Sequence, residues 1–235
     1  MQRYFSIDKN LTLTNKDIHH IINVMRMKKN DKIEIVYDEK VYLCLITDIS
    51  KNDVKYKIEK EITSSSELTK KVTIVIPLVS ENKIDLILQK CTELGAYEFI
   101  IYDSQRSKVK VNDKIDKKIS RWNLIVKEAC EQSFRNYLPK VYKIKDLTEI
   151  TKNNSELKLV ASTKKCEKNL KNILQNSTNC DSIVIVVGPE GGLTDYEEDY
   201  LVNIGYNRVT FGDAILRLET APIFALSAIK YELMR

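Results

Sequence analysis

With 235 residues, 43% of them hydrophobic, the chain has material for a substantial buried core in one or two domains, which excludes a disordered protein. Its five cysteines, at 44, 91, 130, 166 and 180, are an odd and widely spaced set that supports neither a disulfide framework nor a CxxC metal clip, and two adjacent histidines, His19 and His20, leave little for a metal site or a Ser/His/Asp triad. The net charge of +5 is mild, no stretch approaches the roughly 18 apolar residues of a membrane span, and Met1 to Phe5 run into charged residues without a signal-like apolar region, so the expectation is a cytoplasmic protein with no membrane and no metal partner.

Thr14 to Met25 reads as one short helix, with Thr14 as N-cap, Asp17 three residues on, and Ile18, Ile21, Ile22 and Met25 as its apolar face. Three partly alternating stretches, Lys32 to Tyr37, Val41 to Ile49 and Val54 to Glu59, predict a small barrel or half-barrel. The run Thr63 to Thr69 has linker composition, which places a domain boundary near residue 68. From Lys71 the period changes. Strand Val72 to Pro77 leads to a helix capped by Ser80 and ended by Gly95, then to strand Tyr97 to Tyr102 and the basic loop Ser104 to Lys108. A long helix follows, with Ile115, Ile119, Trp122, Val126, Ala129 and Ser133 on one stripe. Strand Val141 to Ile144, a short helical piece, strand Leu157 to Ala161, helix Glu167 to Leu174 and strand Ile183 to Val187 complete an alternating α/β pattern. Such alternation predicts a mostly parallel sheet covered on both faces, with ligands at the carboxyl ends of its strands.

Five of the six glycines fall between Gly188 and Gly212, starting with Gly188-Pro189-Glu190-Gly191-Gly192 directly after an apolar strand. A chain this sparing with glycine spends it where the backbone turns sharply or something approaches closely. The spacing is neither that of a P-loop nor that of a dinucleotide fingerprint, and taken alone the turn fits an ordinary strand-to-helix connection. Thr194 to Glu197 is a capping box that opens the next helix. Strand Arg208 to Phe211 then ends in Gly212-Asp213, and Ala214 to Pro222 leads into a terminal helix, Ile223 to Met234, with Thr220 as its expected N-cap. That helix is apolar on most sides, and a dimer interface is a natural place for it. Arg217 and Glu219, each taken singly, fit a local salt bridge in a loop. Charge is uneven along the chain: Ser104 to Lys145 holds twelve Lys/Arg against four Asp/Glu, a local +8, whereas Gly188 to Arg235 holds four against eight, a local −4. That asymmetry suits a polyanion held at one place and worked on at another, although a solvated lysine-rich helix accounts for it equally.

The pair GPEGG and FGDAILRLETA resembles the C-terminal signature of the SPOUT methyltransferases, specifically the bacterial family that methylates N3 of a uridine in 16S ribosomal RNA. The resemblance extends over most of the chain, through Arg3-Tyr4-Phe5, His19-His20 with Val24-Met25-Arg26, Thr92 to Gly95, Gln105-Arg106-Ser107, Arg121-Trp122, and Glu128 to Ser133 with Arg135 and Pro139. It implies a PUA-like RNA-binding β-barrel domain over residues 1–68 and a SPOUT α/β methyltransferase domain with a C-terminal trefoil knot over 69–235. It further implies S-adenosylmethionine as cofactor, a homodimer, and ribosomal RNA or the small ribosomal subunit as partner. By that analogy the cofactor-binding residues are Ala161, Gly188, Pro189, Glu190, Gly191, Gly192, Ile215, Leu216, Leu218, Thr220 and Ala221. The chain departs from the family pattern at Asn30, at Asp38-Glu39-Lys40, at Gln105 and at Pro222, none of which removes a principal motif residue.

Methyl transfer to a uracil nitrogen requires alignment of donor and acceptor and departure of the nitrogen's proton. Arg217 stays protonated, so its expected catalytic role is to stabilise negative charge on a uracil carbonyl oxygen. Glu219 or Glu190 is the expected proton acceptor or loop brace, and the sequence does not choose between these. The target nitrogen lies on the Watson-Crick edge, so the base must be unpaired or flipped out. Arg3, Arg26, Lys28, Arg106, Lys108 and Arg135 are the expected RNA-binding residues through phosphate contacts. A sister activity, ribose 2′-O methylation, and a noncatalytic RNA-binding assembly factor are the alternative readings.

Overall fold

The computed structural model of the chain describes residues 1–63, 65–107, 115–164, 166, 169–177 and 179–233. The chain forms two compact units, one comprising Met1–Glu67 and Cys130–Leu138, the other Leu68–Ala129 and Pro139–Arg235. Segment 130–138, which the sequence reading assigns to the second domain, thus packs with the first. No helix among the described residues is long and apolar enough to cross a membrane.

The first unit is built on a four-stranded sheet in the order β1 (Gln2–Phe5), β2 (Lys32–Tyr37), β3 (Lys40–Ile49), β4 (Val54–Ile62). Strands β1 and β2 are parallel and the other pairs antiparallel. The described strands form this open order of four rather than a closed barrel, and β1 carries no period long enough for the sequence to reveal it. Tyr4, Ile21, Ile33, Ile35 and Ile46 are fully buried and form its core. The expected helix from Thr14 divides in two. Helix α1 spans Asn15–His19 behind the Thr14/Asp17 capping box, and a π-helical turn continues it over His20–Val24. The Met25 amide donates to the His20 carbonyl at 2.9 Å, the wider ring that marks a π-turn. The hairpin joining β2 to β3 has positive φ at Asp38 (49°) and Glu39 (62°), the backbone of a type I′ turn without its usual glycine.

Arg3 and Arg135 are buried inside this unit and paired with carboxylates. Arg3 donates to Glu34 Oε2 through Nε at 2.8 Å and Nη2 at 2.6 Å, and through Nη1 to Asn136 Oδ1 at 2.6 Å and the Phe134 carbonyl at 2.5 Å. Arg135 pairs with Glu67, whose Oε1 also accepts the amides of Asn136 and Tyr137 at 2.9 and 3.1 Å. These contacts tie segment 130–138 to the unit's interior. Arg3 and Arg135, expected on the RNA surface, are instead buried, Arg3 against the buried Glu34 carboxylate and Arg135 against the partly exposed Glu67.

The second unit carries a six-stranded, wholly parallel sheet in the order β10-β8-β9-β5-β6-β7. In chain order these strands are β5 (Lys71–Pro77), β6 (Glu98–Tyr102), β7 (Lys140–Lys143), β8 (Leu157–Ala161), β9 (Ser182–Val186) and β10 (Asn207–Val209). The central strands β5 and β9 read as continuous apolar runs because both faces are covered, and their Ile74, Val75, Val184 and Ile185 are fully buried. Helix α2 (Glu81–Leu94) ends where expected. Gly95 has φ +107°, and a Cβ there would stand 2.7 Å from Leu68 Cγ, so only glycine closes the helix at this point. Helix α3 (Ile115–Gln132) buries Trp122, Val126 and Ala129 and stops one residue short of Ser133. A 3-10 turn at Leu147–Lys152 is the expected short helical piece. Helix α4 spans Leu170–Asn176 with Asn169 as N-cap, and residues 167 and 168 of the expected helix lie outside the described residues. Helix α5 (Asp195–Asn203) starts at the Thr194/Glu197 capping box. Helix α6 (Thr220–Leu233) begins three residues earlier than expected, and Met234 lies outside the described residues. It buries Ala221, Pro222, Ala225, Leu226 and Ile229, whereas Phe224 remains 42% exposed.

Candidate active site

The loops after β8, β9 and β10, three neighbouring strands of the parallel sheet, converge at their carboxyl ends around a cavity of about 900 Å³. One wall is the turn Val187–Leu193, another the loop Thr210–Leu218, and a third Ala161–Lys164. This volume lies at the upper end of the range for small-molecule sites, about 300–1,000 Å³.

The glycine turn owes its shape to close approach. A Cβ on Gly188 would lie 2.9 Å from the Leu193 amide nitrogen and 3.2 Å from the Gly192 carbonyl carbon, so the chain folds back on itself only without a side chain there. Arg106, from the loop after β6, braces the turn by donating through Nη1 to the carbonyls of Gly191 at 2.9 Å and Leu193 at 3.1 Å. The buried Tyr102 hydroxyl donates to the Val187 carbonyl at 3.0 Å, and burial holds its ionisation well above the usual tyrosine range. Buried Glu197 joins the same parts from beneath. Its Oε1 accepts from Ser104 Oγ at 3.2 Å and the Gln105 amide at 3.0 Å, and its Oε2 accepts from the Thr194 amide at 2.8 Å.

Three acidic groups on the cavity wall, Glu190, Asp195 and Glu198, are matched by cations. Glu198 is buried and accepts from Ser162 Oγ at 2.7 Å and Arg208 Nε at 2.8 Å, with Lys164 Nζ 3.3 Å away. Lys164 also reaches Asp195 at 2.7 Å, and this hydrogen bond raises the lysine's pKa and lowers the aspartate's. Lys83, in the first turn of α2, has its Nζ 2.7 Å from Glu190 Oε1 and 3.7 Å from Glu219 Oε2. The hydrogen bond to Glu190 holds its ammonium above the ordinary lysine range.

Ala161, Gly188 to Gly192, Ile215, Leu216, Leu218 and Ala221, all named from sequence as cofactor-binding, line the cavity together. Thr220 does not; it is exposed at the start of α6, where its amide donates to the Arg217 carbonyl at 3.0 Å. Arg217 lines the cavity, is exposed, and pairs with no carboxylate among the described residues. Glu219 is off the lining, with its carboxylate toward Lys83. Arg26 and Lys28 are exposed on the first unit, Arg106 is exposed while bracing the glycine turn, and Lys108 lies outside the described residues. Lys83, Lys164 and Glu198 were not singled out from sequence, and Glu197 was named only as part of the capping box. For Lys83 one signal was present: a cation in a helix's first turn opposes the helix dipole and asks for a local reason.

Residues 66–230 match the RNA methyltransferase domain family, and residues 13–59 match the RNA methyltransferase PUA domain family. The chain is 36% identical to ribosomal RNA small subunit methyltransferase E of Bacillus subtilis (strain 168), over 99% of this chain and 97% of that protein. It is 33% identical to the protein of the same name from Mesomycoplasma hyopneumoniae (strain 232), over 97% and 98%. Among solved structures it is similar to a ribosomal RNA small subunit methyltransferase E from Neisseria gonorrhoeae bound to S-adenosyl methionine, with a TM-score of 0.88, 32% identity and coverage of 98% and 97%. Near-complete coverage in both directions, with both domain matches in order, places this chain in the ribosomal RNA small subunit methyltransferase E family.

Proposed function

We propose that the protein transfers a methyl group from S-adenosylmethionine to N3 of a uridine in 16S ribosomal RNA. The observation that carries this reading is the cavity itself. Ten of the eleven residues expected to grip the cofactor converge on it, in a chain similar over nearly its whole length to a methyltransferase solved with that molecule. The residues present fit the cofactor: the glycine turn leaves open space at Gly192, and Leu216 and Leu218 supply apolar contact. Convergence of the loops after β8, β9 and β10 also supports a trefoil knot in this segment.

The cofactor, when bound, supplies an electrophilic methyl group on a sulfonium. The protein aligns it and excludes water, which favours a reaction that cancels charge. Arg217, without a carboxylate partner among the described residues, stabilises negative charge developing on a uracil carbonyl oxygen. Of the two candidate proton acceptors, Glu190 lines the cavity and Glu219 does not, so Glu190 is the better placed. Arg26, Lys28 and Arg106 contact RNA phosphates, and the half-exposed apolar side of α6, with Phe224, forms a homodimer contact in a cytoplasmic enzyme.

Incubation with S-adenosylmethionine and either 16S RNA or small ribosomal subunits, followed by reverse transcription, tests this. N3 methylation blocks Watson-Crick pairing and gives a strong stop at one uridine. A ribose 2′-O product that stops extension only at low nucleotide concentration would refute the base as target, and RNA binding without modification would refute catalysis.

A further inference from the structure

The inference rests on the reading that the cavity takes S-adenosylmethionine, and concerns Lys83. This residue connects two loops that are far apart in sequence, pairing with Glu190 of the glycine turn and Glu219 of the loop before α6. Glu219 Oε2 is buried and makes no hydrogen bond among the described residues, so the Lys83 ammonium is the charge that answers it. Of the other acids on the cavity wall, Asp195 has Lys164 and Glu198 has Lys164 and Arg208, whereas exposed Asp213 has no ion pair among the described residues. Arg106 Nη1 donates to main-chain carbonyls, and no ion pair joins Arg217 to Glu190 or Glu219 among the described residues. Lys83 and Glu190 both line the cavity, and the Lys83 side chain is 32% exposed there.

S-adenosylmethionine and the product S-adenosylhomocysteine differ by one methyl group and one positive charge. Negative charge near the sulfur therefore favours the cofactor over the product. It also stabilises the sulfonium before transfer more than at the transition state, where that charge is being cancelled, and such stabilisation slows the step. The geometry points to Lys83 as a specificity-determining residue, whose ammonium offsets part of the negative charge of Glu190 and Glu219 and so sets the cavity's preference for the sulfonium cofactor over the neutral thioether.

Calorimetric titration with each of the two molecules, at fixed pH and salt, tests this on the wild type and on Lys83→Met, Lys83→Arg and Glu190→Gln. Lys83→Met raises the ratio of cofactor to product affinity by roughly five- to tenfold, the scale of one unit charge acting across a partly solvated cavity, and Lys83→Arg keeps it within about twofold. Glu190→Gln moves the ratio the other way, which reads the same cluster if Lys83→Met does not fold. Equal weakening of both ligands in Lys83→Met, with the ratio unchanged, would overturn the inference and leave Lys83 as a structural tie. A wild type that binds neither molecule would overturn the cofactor reading and this inference with it, whereas an unmoved ratio in protein that binds both overturns the inference alone.

Discussion

Replacement of Gly188 by alanine isolates the packing of the glycine turn from its chemistry. The new Cβ would stand 2.9 Å from the Leu193 nitrogen, 3.1 Å from Leu193 Cγ and 3.2 Å from the Gly192 carbonyl carbon. Two of those atoms are backbone, so relief requires the turn to open rather than a side chain to rotate. Overpacking of this kind costs about 1–3 kcal/mol, and at about 2–4 °C per kcal/mol for a domain of 150–250 residues the melting temperature falls by several degrees. Opening the turn also displaces the carbonyls that Arg106 holds, so cofactor affinity falls by at least about tenfold, the equivalent of 1.4 kcal/mol. Gly191→Ala is the matched control. Its Cβ meets only the Arg106 side chain, at 3.6 Å, which is ordinary contact. Thermal unfolding and calorimetric titration of both variants decide the matter. Equal damage from the two substitutions, or a neutral Gly188→Ala, would refute the argument from close approach.

Four further outcomes follow from individual residues. Arg217→Ala abolishes most turnover while leaving the melting temperature and much of the cofactor affinity intact, since Arg217 is exposed and pairs with no carboxylate among the described residues; parallel loss of affinity and turnover would make it a wall of the pocket instead. Arg26→Ala with Lys28→Ala flattens the dependence of RNA affinity on salt, the logarithmic slope falling by about 0.7 to 0.9 for each phosphate left without its cation. Arg3→Met leaves that slope unchanged in folded protein but strands the buried Glu34 carboxylate and costs about 3–5 kcal/mol in urea unfolding. Burial pushes the Cys44 and Cys130 thiols up to about 11 and about 12 from an ordinary 9.0. The folded state therefore holds protons that the unfolded state releases above pH 9, and stability falls as pH rises through that window. By pH 10 each thiol accounts for about 1.4 kcal/mol, so urea midpoints at pH 8 and pH 10 differ, and Cys44→Ala with Cys130→Ala narrows the gap.

What the sequence revealed and what it concealed have distinct physical origins. Helix ends governed by local chemistry were legible: Thr14, Thr194 and Gly95 act within one turn of the chain, and each sits where its capping pattern puts it. The alternating α/β order was legible because covered parallel strands are apolar throughout. The hidden features depend on distant partners. Arg3 and Arg135 look like solvent cations until Glu34 and Glu67 are brought beside them, and a four-residue strand such as β1 has no period to detect. The cofactor wall was legible through resemblance, since GPEGG and the Ala214 to Ala221 loop carry a recognisable pattern. The cations that balance it come from elements with no such pattern, Lys83 on α2 and Lys164 after β8.

Because residues 130–138 complete the first unit, that unit is not a contiguous stretch of chain. Arg3 and Glu67 find Asn136 and Arg135 only after more than half of the polypeptide has been made. On the ribosome, the N-terminal sheet must therefore wait, with Glu67 lacking its cation and Arg3 lacking the acceptors of Asn136 and Phe134, until α3 has been synthesised and the segment after it emerges. A fragment cut at the linker would inherit the same deficit permanently, so the order of synthesis and the order of folding part company in this protein.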